Sequence, residues 1–395
     1  MRKTFTLLLS AALAFATQAS AAQPEKDWTF LVFLNGHNNL DSFGTKDMNE
    51  MEQVGSTAGV NVVVQWASLR FQTTKRVYVQ QDNNTTQVTS PVVQELPRVD
   101  MGDPNALVEF VRWAVQNYPA KRYFINVWNH GSGWHKIRSG AVNPKDISFD
   151  DLSGNAMDTV ELGQALRDSA AIIGHKIDLY GSDACLMAMA EVTDEVADSV
   201  DVFAGSEEVE PADGWPYGDV LRRWTRDSSI SAAEVGKILS DEFFKSYQGG
   251  SQGRRDVTFS VLDLSKMGQI NDAVRAFGGQ LLGLSAADKA KVRTAANATI
   301  NFTYGDYGDL MDFMGLVERS GISSIRAETY GQLRTAMQDF VIVNQVSSSY
   351  ARAQGLAIWL PTSLSTYNTY SARYNALRFQ TNTAWGDALR YVLSN

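Results

Sequence analysis

The sequence predicts an α/β fold built on a mainly parallel sheet. Two observations carry that expectation. Apolar runs of strand length recur through the first half of the chain without the alternation of a half-exposed sheet, and segments of helical period separate them. A third concerns the ends of the runs: each stops in a polar or glycine-containing turn, as strands do when ligands gather beyond their carboxyl ends.

In chain order, the buried strands are read as WTFLVFLN (28–35), VNVVVQWAS (60–68), RYFINVWN (122–129), KIDLYGS (176–182) and DVFAGS (201–206). Helical periodicity falls near residues 41–54, 104–117, 159–171 and 185–197. KRVYVQQDNNTTQVTS reads as a hairpin inserted after the second strand, with Asn83 and Asn84 at its turn. Beyond Gly250, RRDVTFSVLDLS and GLAIWLP read as further strands, and the segments 267–283, 286–300, 325–343 and 383–393 as helices. The division expected is a signal peptide (1–22), a core (23–250) and a C-terminal α/β extension (251–395), which either stands apart or shares the same sheet. SYQGGSQGRRD serves as the boundary between the last two.

Residues 1–22 open with Arg2 and Lys3, run through an apolar stretch and end at Ala19-Ser20-Ala21, the pattern of a secretory signal. Export to a periplasm or the medium is therefore expected, without a membrane anchor. The formal charge of −9 argues against nucleic acid as a partner. Cys185 is the sole cysteine, so no internal disulfide forms.

An unpaired thiol in an exported protein calls for a use. Cys185 follows a strand, and the apolar positions Cys185, Met189, Val192 and Val196 suggest that it opens a helix, whose positive end would lower the thiol pKa. The other reading is a buried cysteine acting as a small apolar residue. A thiolate attacking an acyl group needs a proton shuttle. Of the four histidines, His37, His130, His135 and His175, only His130 ends a buried strand, on the edge where Cys185 should lie. Gly131 permits close approach of a substrate, and its N–H with that of Cys185 could form an oxyanion hole. A zinc site is not expected, because the histidines lack a third ligand of suitable type and spacing.

WNHGSGW, IDLYGSDACLMAMAEV and GSEEVEPADGWPY, with WTFLVFLNGHNNLD and FDDLSGNAMDTVELGQAL in the same order, resemble the clostripain family of cysteine peptidases, relatives of gingipains, legumains and caspases. The resemblance implies a caspase-like αβα sandwich and a dyad of His130 and Cys185. It also implies cleavage after Arg or Lys, with Asp183 and Asp213 as acids of the S1 pocket; Asp183 could equally cap the Cys185 helix. Self-cleavage after a basic loop residue would fall at Lys145. Some relatives depend on calcium, but the acid-rich turns at Asp150, Asp151, Asp306, Asp309 and Asp312 lack the register of an EF-hand, so no cofactor is expected. The partners expected are peptides or proteins with Arg or Lys before the scissile bond. A binding or surface protein that kept the fold without turnover, and a transpeptidase using the same dyad, remain the alternatives.

Overall fold

Strand β1 (Lys26–Gly36) lies inside a nine-stranded sheet, hydrogen-bonded in parallel to β2 (Val60–Ser68) on one side and to β5 (Ala120–Trp128) on the other. From β2 the chain turns back through the antiparallel strands β3 (Thr73–Tyr78) and β4 (Val92–Pro97), which form the expected hairpin with a longer connection than a tight turn. It then crosses to β5 and continues outward in parallel through β6 (Ile177–Asp183) and β7 (Val200–Gly205). The last two strands, β8 (Thr258–Asp263) and β9 (Val341–Val346), add antiparallel to the β7 edge, so C-terminal segments complete the same sheet. The strand order is β9-β8-β7-β6-β5-β1-β2-β3-β4. This computed structural model describes residues 24–135 and 146–394; the signal reading of residues 1–22 and the self-cleavage reading of Lys145 lie outside the described residues.

The parallel strands are apolar runs because both of their faces are covered. Alternate residues point to opposite sides. Phe33, Val63, Ile125, Tyr180 and Phe203 pack with α2 (Pro104–Asn117), α3 (Thr159–Ile173), α4 (Ala190–Val196) and α7 (Met267–Leu281) in one core. Phe30, Val62, Phe124, Leu179 and Val202 pack with α1 (Asp41–Glu52), α5 (Tyr217–Trp224) and α6 (Ala232–Tyr247) in the other. The result is the expected αβα sandwich. Helix boundaries follow local chemistry. Asp103 caps α2 ahead of Pro104 at its first turn, and α3 carries an Asp158/Glu161 capping box and ends at Gly174 in the left-handed conformation.

The chain order reverses at β1 and β5. Loops leaving the carboxyl ends of these two strands diverge, which opens a crevice there. GLAIWLP does form a strand, but in a separate ribbon, Ala357–Trp359 against Tyr307–Asp309, rather than in the main sheet. Among the described residues no helix is long and apolar enough to cross a membrane.

Candidate active site

Trp128 at the end of β5 is register partner to Asp183 at the end of β6. His130 and Cys185 therefore stand the same two residues beyond neighbouring parallel strands, on the edge where the crevice opens. Asn129 fixes the first of these turns: its N–H donates to Asp183 O (3.1 Å), its Nδ2 donates to Asn35 O (2.7 Å), and its Oδ1 accepts from Phe149 N (2.6 Å). The His130 ring meets Phe149 edge-on at 6.0 Å, and its Nε2 donates to Asn39 Oδ1 at 2.7 Å. Gly131 passes so close to the second turn that a Cβ there would lie 2.4 Å from Cys185 O. That approach is why glycine is required, and it lets the Gly131 main chain hydrogen-bond the sulfur.

The expected helix start at Cys185 is not found. Cys185 lies in a turn, Leu186 adopts a left-handed φ of 67°, and the chain stays extended to Met189 before α4 begins at Ala190. The extended piece is held by Leu186 N donating to Glu208 O (3.2 Å) and Ala188 N to Ser206 O (2.9 Å), so bonding to the loop after β7 outcompetes the helix. Without a helix end beneath it, the thiol pKa is not lowered. Burial first, and then the charges of Glu210 and Asp183, push it up to about 12, against main-chain hydrogen bonds from Glu210 and Gly131. The alternative role of Asp183 as cap of that helix falls with it.

His130, Cys185, Asp183, Glu210, Trp128 and Pro211 line a recess of about 340 Å³. Its floor is acidic and buried. Asp183 Oδ2 accepts from Tyr217 Oη (2.6 Å) and Trp215 N (3.4 Å), and Glu210 Oε2 accepts from Trp215 Nε1 (3.1 Å). Below them, Asp47 of α1 accepts from Trp128 Nε1 at 2.7 Å. Burial raises Asp183 to about 6 despite its donors and holds Asp47 and Glu210 well above the usual carboxylate range. Asp213, by contrast, is half-exposed and turned to Lys46 Nζ (2.8 Å), outside the lining of the recess. Sequence reasoning missed Glu210 and Asn39. Both stand in turns it had singled out, but nothing local says which way their side chains point.

Two of the other three histidines are spent inside the fold. His37 Nδ1 pairs with Asp150 at 2.8 Å and His135 Nε2 with Asp306 at 3.1 Å, all four side chains being buried, while His175 lies at the surface. Beyond the recess, the profile of the clostripain family matches residues 32–391, nearly the whole of the described chain. The chain belongs to the clostripain family of C11 peptidases. It is 23% identical over 318 residues to clostripain of Hathewaya histolytica, an alignment covering 69% of this chain and 59% of the relative, so the chain spans about three-fifths of that protein's length. Among solved structures, it is similar to a secreted C11 cysteine protease from Bacteroides thetaiotaomicron held by an irreversible peptide inhibitor, with TM-score 0.70 and 19% identity over 91% of this chain and 99% of that one. An inactive zymogen C11 protease from Parabacteroides distasonis aligns with TM-score 0.68 and 17% identity over 92% and 99%. At these identities the structures share a fold.

The remaining acids of interest in this clostripain-family chain are tied into the structure. Asp309 caps the helix Leu310–Arg319, Asp312 holds Arg352, and Asp306 accepts from Trp359 Nε1 at 3.1 Å. Asp146, directly after Lys145, is fully buried; its carboxylate accepts from Thr159 N (2.8 Å) and pairs with Arg373.

Proposed function

We propose that the protein is an exported cysteine endopeptidase that hydrolyses peptide bonds after Arg or Lys, with Cys185 as nucleophile and His130 as proton shuttle. The observation that carries this reading is the matched register of the two residues beyond β5 and β6, at one recess floored by carboxyl groups. The thiol is protonated in the resting recess, so its proton passes to the imidazole as sulfur attacks the scissile carbonyl carbon. With Nε2 donating to Asn39, that traffic belongs to Nδ1. The carbonyl electron pair moves onto oxygen, where the N–H groups of Gly131 and Cys185 receive the charge. Collapse of the tetrahedral species breaks the C–N bond, the leaving amine takes the proton from His130, and a thioester remains on Cys185. Water then gives a proton to the imidazole and attacks the thioester, releasing the acid and returning the thiol. A guanidinium or ammonium before the cut finds its counter-charge at Asp183.

Cys185→Ala should abolish hydrolysis of an arginyl amide while leaving the circular dichroism spectrum unchanged. Asp183→Asn should erase the preference for arginyl over neutral substrates. Undiminished turnover in the first variant refutes the nucleophile, and a basic preference that survives the second refutes the S1 assignment.

A further inference from the structure

The acid beside Asp183 is Glu210, and the pair is unusual. Glu210 is only 6% exposed and lines the recess, yet among the described residues no donor reaches its Oε1. Trp215 donates its indole N–H to Glu210 Oε2 (3.1 Å) and its main-chain N–H to Asp183 Oδ2 (3.4 Å), which holds the two carboxyl groups together at the recess, where each bears on the other's protonation. Two carboxylates so placed, both desolvated, do not ionise together; one proton between them supplies the donor that the surroundings lack. Among the described residues, the charges that face the pair are mostly acidic, with Lys46 the one cation that draws Asp183 down. Helix α1 presents Asp47 and Glu50, and its Lys46 is committed to Asp213 at 2.8 Å and Glu50 at 3.5 Å. Helices α5 and α6 present the hydroxyls of Tyr217 and Tyr247, the loop after β6 presents the thiol of Cys185, and the loop after β5 presents the imidazole of His130.

We propose that Asp183 and Glu210 form a proton-sharing pair that a basic substrate side chain splits, so that binding of Arg or Lys releases one proton to solvent. Glu210, not Asp213, is then the second acid of the pocket. The proposal rests on the reading of the recess as the site for that side chain. The incoming cation takes the place of the shared proton, and both carboxylates bind it ionised. A neutral side chain of the same shape brings no charge to replace the proton and leaves the pair intact. Affinity for a basic peptide therefore climbs with pH, up to about tenfold per unit while the pair holds its proton, and levels once the pair has ionised.

The test uses the full chain carrying Cys185→Ala, which binds without turnover, titrated calorimetrically in buffers of differing ionisation heat at about pH 6. The ligands are one peptide ending at the cut in arginine and its twin ending in citrulline. The arginine peptide should release about one proton per site and the citrulline peptide none. Adding Glu210→Gln should abolish the release while arginine still binds, and Asp213→Asn should leave the release in place. If arginine is preferred to citrulline but no proton appears, the pair is wrong and the S1 reading stands. Release that persists in Glu210→Gln, or vanishes in Asp213→Asn, also overturns it. No preference for arginine at all overturns the proposal together with the reading beneath it. The comparison of the two peptides stands without the Glu210 variant, should that variant not fold.

Discussion

Asn39 accepts the Nε2–H of His130 from an exposed position just ahead of α1. In the mechanism proposed above, its part is to hold the imidazole in one tautomer and one orientation. That single bond is worth about 1 kcal/mol of orientation, which is a factor of roughly five to ten in rate. Asn39→Ala should therefore lower kcat by roughly tenfold with KM little changed, and Asn39→Asp, which keeps an acceptor in place, should recover most of the loss. Equal losses in both variants, or a change confined to KM, would show that Asn39 contributes to packing or substrate contact rather than to the histidine.

At the scale of elements, the helix Arg378–Thr383 ends on Ala384 with φ 55° and ψ 29°, a left-handed cap made by a residue with a Cβ. The left-handed conformation costs such a residue about 1–2 kcal/mol, and glycine returns about half of that in unfolded-state entropy. Ala384→Gly should raise stability by about 0.5–1 kcal/mol, read as a higher thermal midpoint with activity unaltered; a lower midpoint would mean that the cap is not strained. The same local physics explains what could be read beforehand. Strands such as Val60–Ser68 were legible because burial on both faces writes a continuous apolar run, and Pro104–Asn117 because Asp103 and Pro104 mark its start. The segment after Cys185 was not. Its apolar spacing suits a helix, but everything around it is buried, so an extended chain satisfies the same pattern, and leucine gives no sign of the left-handed turn at Leu186. The first half of Val341–Val346 was likewise absorbed into the end of the helix expected over 325–343, because only its partner Thr258–Asp263 makes it a strand. That His130 and Cys185 share one recess was legible because strand ends are; the inward turn of Glu210 depends on Trp215, and the reach of Asn39 on the distant imidazole.

Across the whole molecule, the sheet and the C-terminal layer are joined by a carboxyl group that no cation balances among the described residues. Glu191 of α4 is fully buried; its Oε1 accepts from Trp359 N (2.9 Å) and Tyr374 Oη (3.0 Å), and among the described residues no donor reaches Oε2. Burial pushes its pKa up to about 7, so in the fold it is an acid that keeps its proton where the unfolded chain has already lost it. Between the unfolded value near 4.5 and about 7 the folded state binds more protons, and stability from this group falls as pH rises through that window. Glutamine reproduces the protonated acid: its Oε1 serves the same two donors, and its nitrogen stands where the protonated oxygen stood. Glu191→Gln should match the parent protein below about pH 5 and exceed it near pH 8, its denaturation midpoint losing part of the decline that the parent shows over the same range. Parallel midpoint profiles for the two proteins would place the pH dependence elsewhere among the buried acids, and with it the coupling between the two layers that this carboxyl is inferred to make. A steeper decline in the variant would reverse the sign, meaning that Glu191 folds ionised with a counter-charge.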